Sequence, residues 1–234
     1  LALRRGEAEG ILKVAISPDD ETCVENLNRL CVKGNGECSK LVASALTDSY
    51  KRLIKPSIET EFAAASKQKA DDEAIRVFAQ NLHQLLLAPP LGQKRVLGLD
   101  PGFRTGCKVV CLDAQGNLLH NEAVYPHPPR NEYAQAQRQL QKLVEQYDIQ
   151  AIAIGNGTAS RETESFVQSV RFDRPVAAFV VSEDGASISS ASKIAREEFP
   201  EYDATVRGAV SIGRRLMEPL AELVMIDPQS IGVG

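Results

Sequence analysis

Val96-Leu97-Gly98-Leu99-Asp100-Pro101-Gly102-Phe103-Arg104-Thr105-Gly106-Cys107-Lys108-Val109-Val110-Cys111-Leu112 is the stretch that decides the fold. A short apolar run ends in a single acid, a glycine-rich turn follows, and a second strand-forming run begins at Cys107. Asp113-Ala114-Gln115-Gly116-Asn117 has the composition of a tight turn, and 117–124 reads as a third strand. These segments predict an antiparallel meander.

Downstream, Ala136, Leu140, Leu143, Val144 and Tyr147 recur at helical spacing. Ala151-Ile152-Ala153-Ile154 is an unbroken apolar run, as in a parallel strand covered on both faces. A helix over 159–170, a strand over 176–181 and a helix from about Ala186, with Ile188, Ala191 and Ile194 on one side, complete the order βββαβαβα. That order predicts an α/β, ribonuclease-H-like domain over 93–202, a mixed sheet with helices on both faces.

Upstream, residues 1–92 predict a mainly helical region. The first 36 read as short and irregular, with a brief strand over Gly10–Ile16 closed by Ser17-Pro18-Asp19-Asp20. Leu41, Ala45, Tyr50 and Leu53 approximate a helical stripe that Pro56 interrupts. A second helix spans 57–87, with Ile75, Phe78, Leu82, Leu85 and Leu86 facing inward, and stops at Pro89-Pro90. Beyond Pro200, Val206, Val210, Leu216, Leu220 and Leu223 predict one helix that opens a truncated region over 203–234. The last residues, Ile231-Gly232-Val233-Gly234, offer no capping element and read as the cut edge of another domain.

The 234 residues are 43% hydrophobic and 25% charged, which excludes a disordered chain, a collagen-like repeat and a disulfide-stapled mini-protein. No run of about 18 apolar residues is present to span a membrane. The first residues lack the pattern of a signal peptide and an initiator Met, so the chain reads as a piece of a longer, cytoplasmic protein. The net charge of −4 excludes a polycation that coats nucleic acid in bulk. Any such contact must be a local patch. Five cysteines without a CxxC pair read as reduced thiols acting as small apolar residues.

The chemistry concentrates where the strands end. A carboxylate at the end of the first buried strand, Asp100, sits where this architecture anchors a divalent cation or a nucleotide's metal-bound phosphates. Mg²⁺ is the ion such oxygen ligands take, and two-metal cleavage needs several carboxylates at one point. The fourth strand ends at Ile154-Gly155-Asn156-Gly157-Thr158, so Asn156 stands where a second acid belongs and is, beside Asp100, a weak candidate metal ligand through a neutral oxygen that cannot offset cation charge. Glu183 and Asp184 precede the last helix, as further acids of the site or as residues favourable at a helix N-terminus. Arg104, Lys108 and Arg161 fall near the same loops, and Arg207, Arg214 and Arg215 line the final helix. Guanidinium forks suit phosphates, so these six form the candidate nucleic-acid surface, with Arg214 and Arg215 expected to be exposed.

These motifs together resemble the middle of the Tex family of bacterial transcription accessory proteins. The likeness rests on Arg4-Arg5-Gly6-Glu7, Arg52-Leu53-Ile54, Pro56-Ser57-Ile58-Glu59, the 98–106 loop, Tyr125-Pro126-His127-Pro128-Pro129, 154–164, Ser182-Glu183, 207–212 and 227–234. It implies part of an N-terminal helical region, a whole YqgF-type domain similar to Holliday-junction resolvases, and the opening of a helix-hairpin-helix region. The S1 domain of the family is not in this chain. The resemblance implies a monomeric nucleic-acid-binding scaffold, with RNA or DNA and the transcription machinery as partners. Asn156 in place of an acid argues for binding without turnover. The alternative is a metal-dependent nuclease of resolvase type. A third reading, an actin-like ATPase, needs a second phosphate loop that the chain does not supply.

Overall fold

The computed structural model describes residues 1–231, so the reading of Gly232-Val233-Gly234 lies outside the described residues. The chain divides into two compact units, Leu1–Ala79 and a second from Gln80 onward.

The first unit is helical: α1 (Ala2–Ala8), α2 (Asp20–Cys31), α3 (Glu37–Ser49), a π-helical turn (Tyr50–Ile54) and the beginning of α4 (Lys55–Leu86). The brief strand expected over Gly10–Ile16 does not form. The Ile11 and Leu12 amides donate instead to the Gly6 carbonyl at the end of α1, leaving no ladder for a strand to join. The turn expected at Ser17–Asp20 is the start of α2, with the Asp19 carboxylate accepting the Thr22 amide. Pro56 does not interrupt the helix. It lies in the first turn of α4, and the backbone reaches it through the π turn, where the Lys55 amide bonds to the Tyr50 carbonyl. The expected inward stripe of α4 holds only in part, for Ile75 is exposed while Leu82, Leu85 and Leu86 pack in the second unit.

The second unit is built on β1 (Val96–Asp100), β2 (Cys107–Leu112), β3 (Leu118–Val124), β4 (Ala151–Gly155) and β5 (Ala177–Val181), in sheet order β3-β2-β1-β4-β5. β1–β2 and β2–β3 pair antiparallel, β1–β4 and β4–β5 parallel, so the meander and the ribonuclease-H-like architecture stand as expected. Alternation along the central strands divides the core. Leu97, Leu99, Ile152 and Ile154 pack under α5 (Tyr133–Gln146) and α6 (Ser160–Ser169). Val96, Ala151 and Ala153 face α9 (Ala204–Met217) on the other side. Gly98 belongs to that second face because α9 lies directly on it. A Cβ there would stand 2.6 Å from the Ala209 carbonyl oxygen.

Between β5 and α9 the expected single helix is two, α7 (Ala186–Ala191) and α8 (Lys193–Glu198). Ser192 breaks them and caps the second by accepting the Ala195 amide, and Ile188 and Ile194 are exposed rather than inward. The helix expected through Leu223 also breaks, at Glu218, because Pro219 starts α10 (Pro219–Leu223) and its predecessor is extended. α10 and the residues after it form a small cluster in which Leu223, Ile226 and Ile231 meet Leu82, Leu85 and Leu86. α9 supplies one whole face of the sheet, and the end of α4 packs with the α/β unit.

Candidate functional site

Parallel β1 and β4 end side by side, and the chain turns away from both at the same edge of the sheet. Asp100 is the last residue of β1, half-buried, and opposite Lys108 in the antiparallel register with β2. Its carboxylate reaches into a cleft of about 420 Å³ lined by Glu183, Asp184, Thr205, Gly208 and Ile212. Gly208 of α9 lies alongside it: a Cβ there would make ordinary van der Waals contact with Asp100 Oδ2, at 3.8 Å. Burial, and then the charge of Glu183, push the Asp100 carboxyl up to about 6 despite the opposing charge of Lys108. A carboxylate raised in this way gains from any cation brought to it.

Glu183 and Asp184 lie on the loop from β5 to α7, both half-buried at the cleft. The Glu183 carboxylate rests against the backbone of the neighbouring β4 loop. A Cβ on Gly155 would stand 2.5 Å from Glu183 Oε2, and one on Gly157 would overlap Oε1. Asn156, expected as a weak metal ligand, is exposed, and its Oδ1 accepts the Glu183 amide at 3.0 Å. Its own amide donates to the Val181 carbonyl, so it ties the ends of β4 and β5 together.

The six basic candidates separate into two groups. Arg104 in the loop after β1 and Arg161 in the first turn of α6 are exposed, and Lys108 is half-buried beside Asp100. The three on α9 are engaged within the protein, which corrects the expectation that Arg214 and Arg215 are exposed. Arg214 grips Glu198 with both terminal nitrogens, at 3.1 and 2.6 Å, and donates to the Gly116 carbonyl. Arg215 is only 4% exposed and donates to the carbonyls of Ser182 and Asp184 at 2.9 and 2.8 Å. Arg207 is half-buried, with one nitrogen 3.4 Å from the Phe199 carbonyl. Their spacing along an amphipathic helix could not reveal this, because the partners come from other elements.

A hard divalent cation fits the donor set only in a limited sense. Asp100 and Glu183 supply carboxylate oxygens of the kind Mg²⁺ takes, together with its own waters and a phosphate. No group of three His, Cys, Asp or Glu side chains converges to hold a metal among the described residues. One further polar pair escaped the sequence reading. His127, 6% exposed, lies 2.8 Å through Nε2 from the Thr163 hydroxyl, between the rings of Phe103 and Phe166. Neither residue lines the cleft. The motif around His127 was the available signal, and nothing in it shows which helix His127 meets.

Residues 94–217 match the family model described as Tex protein YqgF-like domain. The chain is 48% identical over its whole length to the uncharacterized protein YdcI of Bacillus subtilis, covering 33% of that protein. It is 44% identical, again over its whole length, to the transcriptional accessory protein Tex of Neisseria gonorrhoeae, covering 32% of it. It thus spans about a third of the length of the curated relatives it matches. Among solved structures, RuvC of Thermus thermophilus aligns with a TM-score of 0.39 at 18% identity, over 57% of this chain and 98% of that one. No helix among the described residues is long and apolar enough to cross a membrane. With the family model matched over more than half of its residues, the chain belongs to the Tex family and carries that family's YqgF-like domain.

Proposed function

We propose that this chain is a nucleic-acid-binding module of a transcription accessory factor, and that it holds phosphates at the mouth of its sheet without cleaving them. The observation that carries this reading is the end of β4: Asp100, Glu183 and Asp184 line the cleft, but the β4 position beside Asp100 is held by an amide, Asn156, already engaged with the Glu183 backbone. Two-metal hydrolysis clamps attacking and leaving oxygens between cations about 4 Å apart, and each cation needs carboxylate charge to hold it. Asp100 and Glu183 suffice to anchor one. A bound divalent cation would supply positive charge for a backbone phosphate, and we assign to that phosphate Lys108, opposite Asp100 in the sheet, and the exposed Arg104 and Arg161. Arg207, Arg214 and Arg215 are engaged with other parts of the protein instead. The name of the gonococcal relative supports transcription as the setting.

Anisotropy titrations with branched, duplex and single-stranded probes, with Mg²⁺ or chelator, test the reading alongside gels for cleavage. Binding should weaken as salt rises, and the double substitution of Arg104 and Arg161 by Ala should lower the salt slope by about 2, one phosphate contact each. Mg²⁺-dependent cleavage that is abolished by Asp100→Asn would overturn the reading in favour of a resolvase-type nuclease.

A further inference from the structure

The loop that carries Glu183 runs from Ser182 to Gly185 and receives no side-chain cap at the short helix it leads into. Its backbone is nevertheless held at three consecutive residues. The Glu183 amide donates to Asn156 Oδ1, and the carbonyls on either side of it, those of Ser182 and Asp184, both accept from Arg215 Nη1. The Glu183 carbonyl in turn accepts the Ala186 amide at 2.8 Å. Held this way, the side chain lies across the bare backbone of Gly155 and Gly157.

Stability alone does not call for an arginine at 215. The residue is buried, and its Nε and Nη2 have no hydrogen-bond partner. Each unpartnered donor is destabilising, whereas an apolar side chain of similar length would fill the space without that cost. What the guanidinium contributes is the pair of bonds to the Glu183 loop. Burial works against its ionised form and lowers its pKa, and the charges of Glu222, itself buried on α10, and of Asp184 and Glu183 offset this only in part.

We infer that Asn156 and Arg215 are positioning residues that lock the Glu183 carboxylate in place across the cleft from Asp100, one holding the loop's amide and the other its flanking carbonyls. Neither touches a ligand. Their consequence for cation binding rests on the proposed function above, while the lock itself rests on the hydrogen bonds. A preformed pair of carboxylates suits an ion that sheds its waters reluctantly, because none of the binding energy goes into ordering the loop.

The test uses the full chain with two readouts, hydrogen exchange of the Glu183 amide and Mn²⁺ affinity by electron paramagnetic resonance. Asn156 is exposed, so Asn156→Ala should melt like wild type, yet speed exchange at Glu183 roughly tenfold. It should also weaken Mn²⁺ binding by about 10–100-fold, as the loss of groups that orient ligands does. Asn156→Asp keeps an acceptor oxygen and should restore slow exchange. Arg215→Met, which fills the same space without donors, should weaken Mn²⁺ binding to a similar extent. If it does not fold, the Asn156 pair decides alone. Wild-type exchange at Glu183 in Asn156→Ala overturns the lock, and a folded Arg215→Met with wild-type Mn²⁺ affinity removes Arg215 from it. A wild-type chain that holds no Mn²⁺, with the Glu183 amide still released in Asn156→Ala, sinks the cation reading and keeps the lock.

Discussion

Among the described residues of the helical unit 1–79, Tyr50 is the one side chain fully enclosed, at 2% exposed. In the α/β unit β4 is enclosed from end to end, and β1 as far as Leu99. Each unit holds a carboxylate next to its best-buried element, and the two behave oppositely. Asp20 receives the Tyr50 hydroxyl at 2.8 Å and the Lys55 ammonium through both oxygens, which hold its carboxyl below the usual range, Lys55 foremost. Asp100, half-buried and near another acid, is pushed up by that burial and then by the charge of Glu183. A helical unit with little apolar burial relies on paired charge. A unit with a large apolar core can carry an unpaired one where a ligand could use it.

The difference can be broken most severely at β4. Ile152→Asp places an unpaired carboxylate in the core under α5 and α6, at a cost of several kcal/mol, comparable to the stability of a whole domain. The α/β unit should fail to fold, and a soluble variant that melts cooperatively by circular dichroism would refute the account of this core.

Asp100→Asn should act in the opposite direction. The ordinary carboxyl value is 3.8 and the folded one about 6, so the folded state binds the extra proton between them. The destabilisation due to Asp100 is absent below pH 4, develops as pH rises, and is complete above about 6. In chelator, the variant should therefore be more stable than wild type at pH 8 by up to about 3 kcal/mol and no more stable at pH 3.5. Urea melts at the two pH values measure this, and an equal difference at both would show that the shift is not the cause.

The smallest effect belongs to the helical unit. The folded value for Asp20 lies below 3.8, so its contribution is present above that pH and is lost as pH falls through the folded value. Asp20→Asn should lower the stability of this unit at pH 7, and the difference from wild type should fade in acid. Proteolysis within residues 1–79 across pH follows it. A variant that resists protease like wild type at pH 7 would show that the Tyr50–Asp20–Lys55 group is incidental to this unit.

How far the sequence could be read depended on how local each determinant is. The strands of the meander were legible because apolar alternation and turn residues act within a few positions. α2 was hidden because Pro18-Asp19-Asp20 serves a turn and a helix cap equally well. The breaks at Ser192 and Pro219 were written in the residues, but continuous apolar spacing overrode them. In the cleft, Asp100 was legible as the acid ending a buried strand, and Glu183 as an acid after the last one. The roles of Asn156 and Arg215 were not, because their partners lie 27 and 33 positions away in the chain.

The order of the five strands and of the helices between them, the two-sided burial of β1 and β4, and the placement of one carboxylate at the sheet's mouth followed from the sequence alone. Periodicity and residue size act between neighbours, so these features needed no knowledge of the remainder. Only the tertiary structure decided which charges face a ligand and which serve the fold. An arginine on an amphipathic helix is exposed or buried according to what packs over it. On α9 the β5–α7 loop and Glu198 lie over Arg215 and Arg214, and turn both guanidiniums from surface charges into internal ties.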